Sequence, residues 1–191
     1  MTFEIDRAVL QRALKDVRRL VRRAERALVT APLHLQSLVD HSSGQMVDLC
    51  RAQRPAVRRH VVIEITGLIG EAPTARLAEA VAAIQPFCRA LTVSVAPDFL
   101  EFERLARLGL SSVGIELDGA AGVASERAIA RLAEFVGAAH AHDMTAHLHG
   151  IADPRLARAA RIAGFDYLNG PALAAEIVRP VAMYAFAAAG A

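Results

Sequence analysis

AHAHDMTAHLHGIADPRLARAARIAGFDYLNG, residues 139–170, is the stretch whose reading decides the fold. It opens on the end of a helical pattern and turns into the β-prone run MTAHLH from Met144. A helical pattern then covers Pro154 to Ala163, and a second β-prone run, DYLNG, follows from Asp166. Strand, helix, strand in that order is the repeating unit of a parallel sheet. Working outward, the same alternation recurs. Strand-like runs are ALVTAPL from Ala27, VVIEIT from Val61, LTVSV from Leu91 and SVGIEL from Ser112. Helical patterns are expected over Gln45–Arg54, Pro73–Ile84, Phe99–Leu108 and Ser125–His142, with a last one from Ala174. The strands are near-continuous apolar runs, as strands covered on both faces by helices must be. Six strands in βα units predict an open or closed βα barrel.

Ahead of the first strand, Val9, Leu10, Ala13, Leu14, Val17, Leu20, Val21 and Ala24 recur at helical spacing, with Asp6 read as the N-cap. The other face of this helix carries Arg12, Arg18, Arg19, Arg22, Arg23 and Arg26. Such a face can meet phosphates, but no aromatic residues are interleaved for base stacking, and Asp16 and Glu25 break the basic surface. A solvated helix face is the reading taken, with no nucleic acid as partner. The formal net charge of +2 adds no electrostatic footprint. An apolar share of 54% in 191 residues supports one globular domain, 1–191, with no Gly/Ser/Pro hinge to divide it. No run is long enough to span a bilayer, and the N-terminus lacks the pattern of a secretory signal. Cys50 and Cys88 fit no metal-ligand spacing and are expected as reduced thiols in a cytoplasmic protein.

In parallel βα architectures the functional groups gather at the carboxyl ends of strands. Here those positions are Glu64, Ser94, Glu116, His149 and Asn169. Read in that order, the chain resembles the EAL-domain family, the bacterial cyclic di-GMP phosphodiesterases and their inactive relatives. FEIDRAVLQRAL is similar to the family's helix beginning with an aspartate, and VVIEITG to its strand ending in E-L-T-E. The stretch 139–170 is similar, without gaps, to a helix, a strand ending in A-E-G-V-E, another helix and G-C-D-Y-V-Q-G. Gly150, Gly164, Asp166, Tyr167 and Gly170 fall in register. The resemblance implies an EAL-like (β/α) barrel that is incomplete, lacking the first strand and helix, since a full barrel runs to about 250 residues.

Active members hold two divalent cations with carboxylates and an asparagine, and a lysine assists the attacking water. Carried over one position at a time, Glu64 matches the first glutamate of the E-L-T-E motif, and Gly67 stands at the second. The preceding asparagine falls on Pro32, the paired aspartates of D-D-F-G on Val93 and Ser94, and the K-I-D strand on Gly114, Ile115 and Glu116. The A-E-G-V-E motif becomes Leu148, His149, Gly150, Ile151 and Ala152. No catalytic residue, no metal site and no cofactor is therefore assigned.

The residues leave other chemistry open. His147 and His149 lie two apart on one strand and point to the same side, a spacing that can bind zinc; His140 and His142 are equally read as the end of a surface helix. Glu64 and Glu116 read as structural carboxylates or as ligands, and Asp118 with Gly119 as a turn. HSSGQM around Ser42 and Gly44 is a loop without the lysine of a phosphate-binding loop, and no nucleophile elbow is present. The expected function is a catalytically inactive regulatory domain acting through protein contacts and self-association. The alternatives are a non-hydrolysing cyclic di-GMP receptor, with Glu64, Glu116, His149 and Asn169 around a vestigial cleft, and a metal-dependent hydrolase.

Overall fold

The structure is a computed structural model, and it describes residues 2–40, 43–68, 74–117, 126–175 and 177–178. The chain divides into two compact units, one running to Leu91 and taking in Ile177 and Val178, the other Thr92–Glu176.

In the first unit, helix α1 (Thr2–Arg22) buries Leu10, Ala13, Leu14, Val17 and Leu20 at three- and four-residue spacing. It stops where Ala24 turns left-handed at φ 54° and the Glu25 amide closes on the Leu20 carbonyl at 3.0 Å, satisfying a terminal acceptor. Strands β1 (Val29–His34) and β2 (Val61–Thr66) pair in parallel, Val29 with Val61 through His34 with Thr66. Between them lie three helices: α2 (Leu35–Val39), α3 (Ser43–Arg51) and α4 (Pro55–Arg58). Helix α5 (Thr74–Ile84) and a 3-10 turn at Gln85–Phe87 lead to strand β3 (Ala90–Val95). The core joins Ala31 and Leu33 of β1, Ile63 and Ile65 of β2, Met46 and Cys50 of α3 and Leu77, Val81 and Ile84 of α5.

Strand β3 begins in the first unit, where the Arg89 amide donates to the Val61 carbonyl at 2.8 Å, and ends in the second. There β4 (Ser112–Glu116), β5 (Thr145–His149) and the two-residue β6 (Tyr167–Leu168) pair in parallel in chain order. Helices α6 (Phe102–Arg107), α7 (Glu126–His140) and α8 (Pro154–Ala163) connect them. A run of aromatic contacts, Phe99 to Phe102 at 5.5 Å, Phe102 to Phe135 at 5.1 Å and Phe135 to Phe165 at 6.2 Å, ties three connections together.

Four expectations are corrected or bounded. Asp6 is not an N-cap: α1 starts at Thr2, and Asp6 is buried inside the helix, where its carboxylate accepts the His34 amide at 2.9 Å. Gly44 lies inside α3 rather than in a loop, and Ser42 is outside the described residues. The turn at Asp118 and Gly119 also lies outside them. Of the helix expected from Ala174, the described residues 174, 175, 177 and 178 carry no helix.

Candidate functional site

The carboxyl ends of β1 and β2 carry Pro32, His34, Glu64 and Gly67. Pro32 and Glu64 are register partners, and Glu64 is buried, at 6% exposure, within a strand whose interior is otherwise apolar. Gly67 follows β2 with φ +78°, a conformation that disfavours any side chain. A Cβ placed on it would stand 2.1 Å from Nε2 of His34. The histidine is held there by its own backbone: its amide donates to Asp6, and its Nδ1 accepts the Gln36 amide at 3.2 Å as the N-cap of α2. His34 thus occupies the volume that a side chain at 67 would need. It was missed in the sequence, where nothing about a histidine closing β1 signals its contact with a glycine after the next strand.

In the second unit the same arrangement recurs with different residues. Gly114 and His147 are register partners on β4 and β5, and a Cβ at 114 would stand 2.0 Å from the His147 Nε2. His147 is buried at 5% exposure. Its Nδ1 lies 3.1 Å from the Ser112 hydroxyl and 3.4 Å from that of Thr92, which itself donates to the Ser112 carbonyl. Two hydroxyls therefore fix the ring plane, and the imidazole is built into the interior as a hydrogen-bonded group rather than left at a mouth. The ring of His149 packs edge-on against it, centroids 4.9 Å apart, so the two histidines do share one side of β5, as their spacing predicts. Glu116 is the register partner of His149.

Beyond these strand ends the backbone closes tightly. The Leu117 amide donates to the His149 carbonyl at 3.1 Å, the Asn169 amide to Leu148 at 2.9 Å and the Ile151 amide to Asn169 at 3.1 Å. A Cβ on Gly150, which sits at φ +79°, would stand 2.3 Å from the Leu117 carbonyl oxygen, and one on Gly170 would meet the Ile151 backbone at 2.3 Å. These two glycines are required by backbone approach alone. Asn169 is exposed beside them.

The remaining candidates serve elsewhere. His140 ends α7 and its Nε2 lies 2.9 Å from Asp166 Oδ2, an oxygen that also accepts the Ala146 amide at 2.7 Å. Partial burial works against ionisation of Asp166, but the Ala146 amide and then His140 outweigh it and hold the carboxyl below its usual range. Both cysteines are free thiols. Burial pushes Cys50 up to about 11, against a smaller opposite pull from Arg58. Burial and then the neighbouring Cys50 push Cys88 up to about 12.

Residues 1–176 match the family model of the EAL domain. The chain belongs to the EAL-domain family. Its fold is like that of the FimX EAL domain of Xanthomonas citri, solved in complex with c-diGMP, with a TM-score of 0.71 at 20% identity, over 88% of this chain and 68% of that one. The Bacillus subtilis YkuI protein, with an EAL domain and solved with c-di-GMP and calcium, gives 0.67 at 17% identity, over 96% of this chain and 44% of that one. An EAL domain protein of Listeria monocytogenes gives 0.68 at 15%, over 87% and 66%. At these identities the likeness establishes the fold: α/β, with six parallel strands making part of an EAL-like barrel. This EAL domain spans less than half the length of the YkuI chain. No curated protein matches its sequence. No helix among the described residues is long and apolar enough to cross a membrane.

Proposed function

We propose that this EAL domain does not hydrolyse cyclic di-GMP and acts in bacterial signalling, in the cytoplasm, by binding protein partners, copies of itself included. One observation carries the reading. At Gly67 and Gly114, where active relatives resemble one another in having a glutamate and a lysine, the side-chain volume is taken by the imidazoles of His34 and His147. Substitution by glycine and occupation by histidine go together at both places, so neither group returns by a single change.

The other positions point the same way. Pro32, Val93 and Ser94 stand where oxygen ligands are expected, and Leu148, His149 and Ala152 where the A-E-G-V-E glutamates are expected. A pair of hard divalent cations needs several carboxylate oxygens around it, and this donor set does not fit one. Glu64 and Glu116 are the two carboxylates kept at these strand ends. Titration with Mn²⁺ by calorimetry is the test: the reading expects no pair of sites, and two saturable sites per chain overturn it.

Self-association is supported by β6, a two-residue strand that ends the sheet among the described residues and carries the exposed Tyr167 (62%), with Ile162 of the preceding helix exposed at 75%. A sheet edge with no further strand among the described residues, together with exposed apolar side chains, invites a covering partner. Size-exclusion chromatography with light scattering is expected to give a dimer or larger; a monomer at micromolar concentration contradicts this part.

A second reading, a non-hydrolysing cyclic di-GMP receptor, is favoured by the c-di-GMP in the FimX and YkuI complexes. On it, Glu116, His149 and the exposed Asn169 at the ends of β4, β5 and β6 are the contacting groups. Calorimetry with cyclic di-GMP separates the two: saturable heat abolished by Asn169→Ala and His149→Ala supports the receptor, and no heat removes it.

A further inference from the structure

The amino ends of the strands in the first unit hold a second cleft, of about 590 Å³, which the strand-end reading does not use. Its walls come from the chain just before each strand: Arg26, Ala27 and Leu28 before β1, Arg59 and His60 before β2, and Arg89 before β3. Val21, Ala24 and Ala56 supply apolar floor. The rim is held by backbone and side-chain bonds: the Val29 amide to the His60 carbonyl at 2.9 Å, the Arg89 amide to Val61, and His60 Nδ1 to the Ala27 carbonyl at 2.6 Å.

The cleft concentrates arginine on one rim. Five arginines elsewhere pair with a local carboxylate: Arg7 with Glu4, Arg12 with Asp16, Arg51 with Asp48, Arg104 with Glu101 and Arg107 with Glu103. Arg26, Arg59 and Arg89 have no carboxylate within 4.0 Å among the described residues. Glu25 is the one acidic group in the lining, and it leans towards Arg23 at 3.9 Å. Three guanidiniums against one carboxylate leave the cleft with an excess of two positive charges. Their planar donors suit the oxygens of a phosphoryl group, which arginine recognises through paired hydrogen bonds. The volume is in the range of small-molecule sites, and the lining has no Phe, Tyr or Trp.

We infer that this cleft binds a small phosphate-bearing ligand, its phosphoryl oxygens held by Arg26, Arg59 and Arg89. The site lies at the strand ends opposite those considered above, so it stands whether or not the proposed loss of hydrolysis does. Pyrophosphate is the probe, titrated by calorimetry into the whole chain at constant ionic strength, with chloride as the matching control. One saturable site is expected, weakened at least tenfold in Arg59→Gln/Arg89→Gln and unchanged in Arg12→Gln, which lies outside the cleft. All three arginines of the cleft are exposed, so the substitutions leave the core alone; an unchanged melting temperature in chloride buffer verifies it, and Arg26→Gln serves in place of the pair if it does not. Absence of saturable binding, an affinity indifferent to the cleft substitutions, or equal weakening by Arg12→Gln overturns the inference.

Discussion

Any side chain at position 114 has to displace an imidazole, and that imidazole is anchored by Ser112 and Thr92. Overpacking of this kind costs about 1–3 kcal/mol, and Gly114→Lys is expected to lose at least that much. Urea unfolding measures it. Adding His147→Ala should return part of the loss, because the two residues compete for one volume, and a double-mutant cycle with no coupling would contradict the contact. Gly67→Glu meets His34 and a left-handed backbone as well, which alone costs about 1 kcal/mol. The cysteines give a separate expectation. With Cys50 held up at about 11 and Cys88 at about 12, the thiolate is scarce at pH 8. Ellman's reagent should react slowly with the folded chain and with two thiols at once after denaturation; rapid reaction of the buried Cys50 in the native state would contradict this.

Elements differ in how much of them could be read from the chain. Helix α8 matches its expected span because its signals are local: Asp153 caps it by accepting the Arg155 amide at 2.8 Å, Pro154 opens it, and Gly164 closes it at φ +91°. Asp153→Ala should cost about 1 kcal/mol of stability, read from the thermal transition. Strand β2 matches for another reason, a β-branched run broken only by Glu64, with Val61, Ile63 and Ile65 buried on one face. Helices α2 and α4 were not legible, since five and four residues hold too little of a helical period to stand out. Asp6 misled because an aspartate ahead of an apolar stripe resembles a cap, whereas its carboxylate turns inward to a strand amide far along the chain. Between α7 and β6, Asp166 ties His140 to Ala146. Its carboxyl is depressed, so its contribution is present above the unfolded value, near 3.8, and fades as pH falls through the folded one. Asp166→Asn should therefore lower stability by about 1 kcal/mol at pH 7, discounted for solvent access, and should flatten the stability profile below pH 4. A profile unchanged by the substitution would contradict the assignment.

For the whole molecule, the family and the α/β fold were legible because glycines such as Gly150 and Gly170 answer to backbone approaches that the scaffold demands whatever its chemistry. The candidate site was legible only as a set of replaced residues. Its filling by His34 and His147 was not, because each contact joins neighbouring strands and depends on where a ring settles. The proposed inactivity rests on the imidazoles that fill positions 67 and 114. Turnover of cyclic di-GMP by the purified chain, with Mg²⁺ and then Mn²⁺ supplied in excess, tests it most directly. No linear dinucleotide above the buffer blank is expected; linear product accumulating at about 1 s⁻¹ or faster, an ordinary enzymatic pace, overturns the proposal.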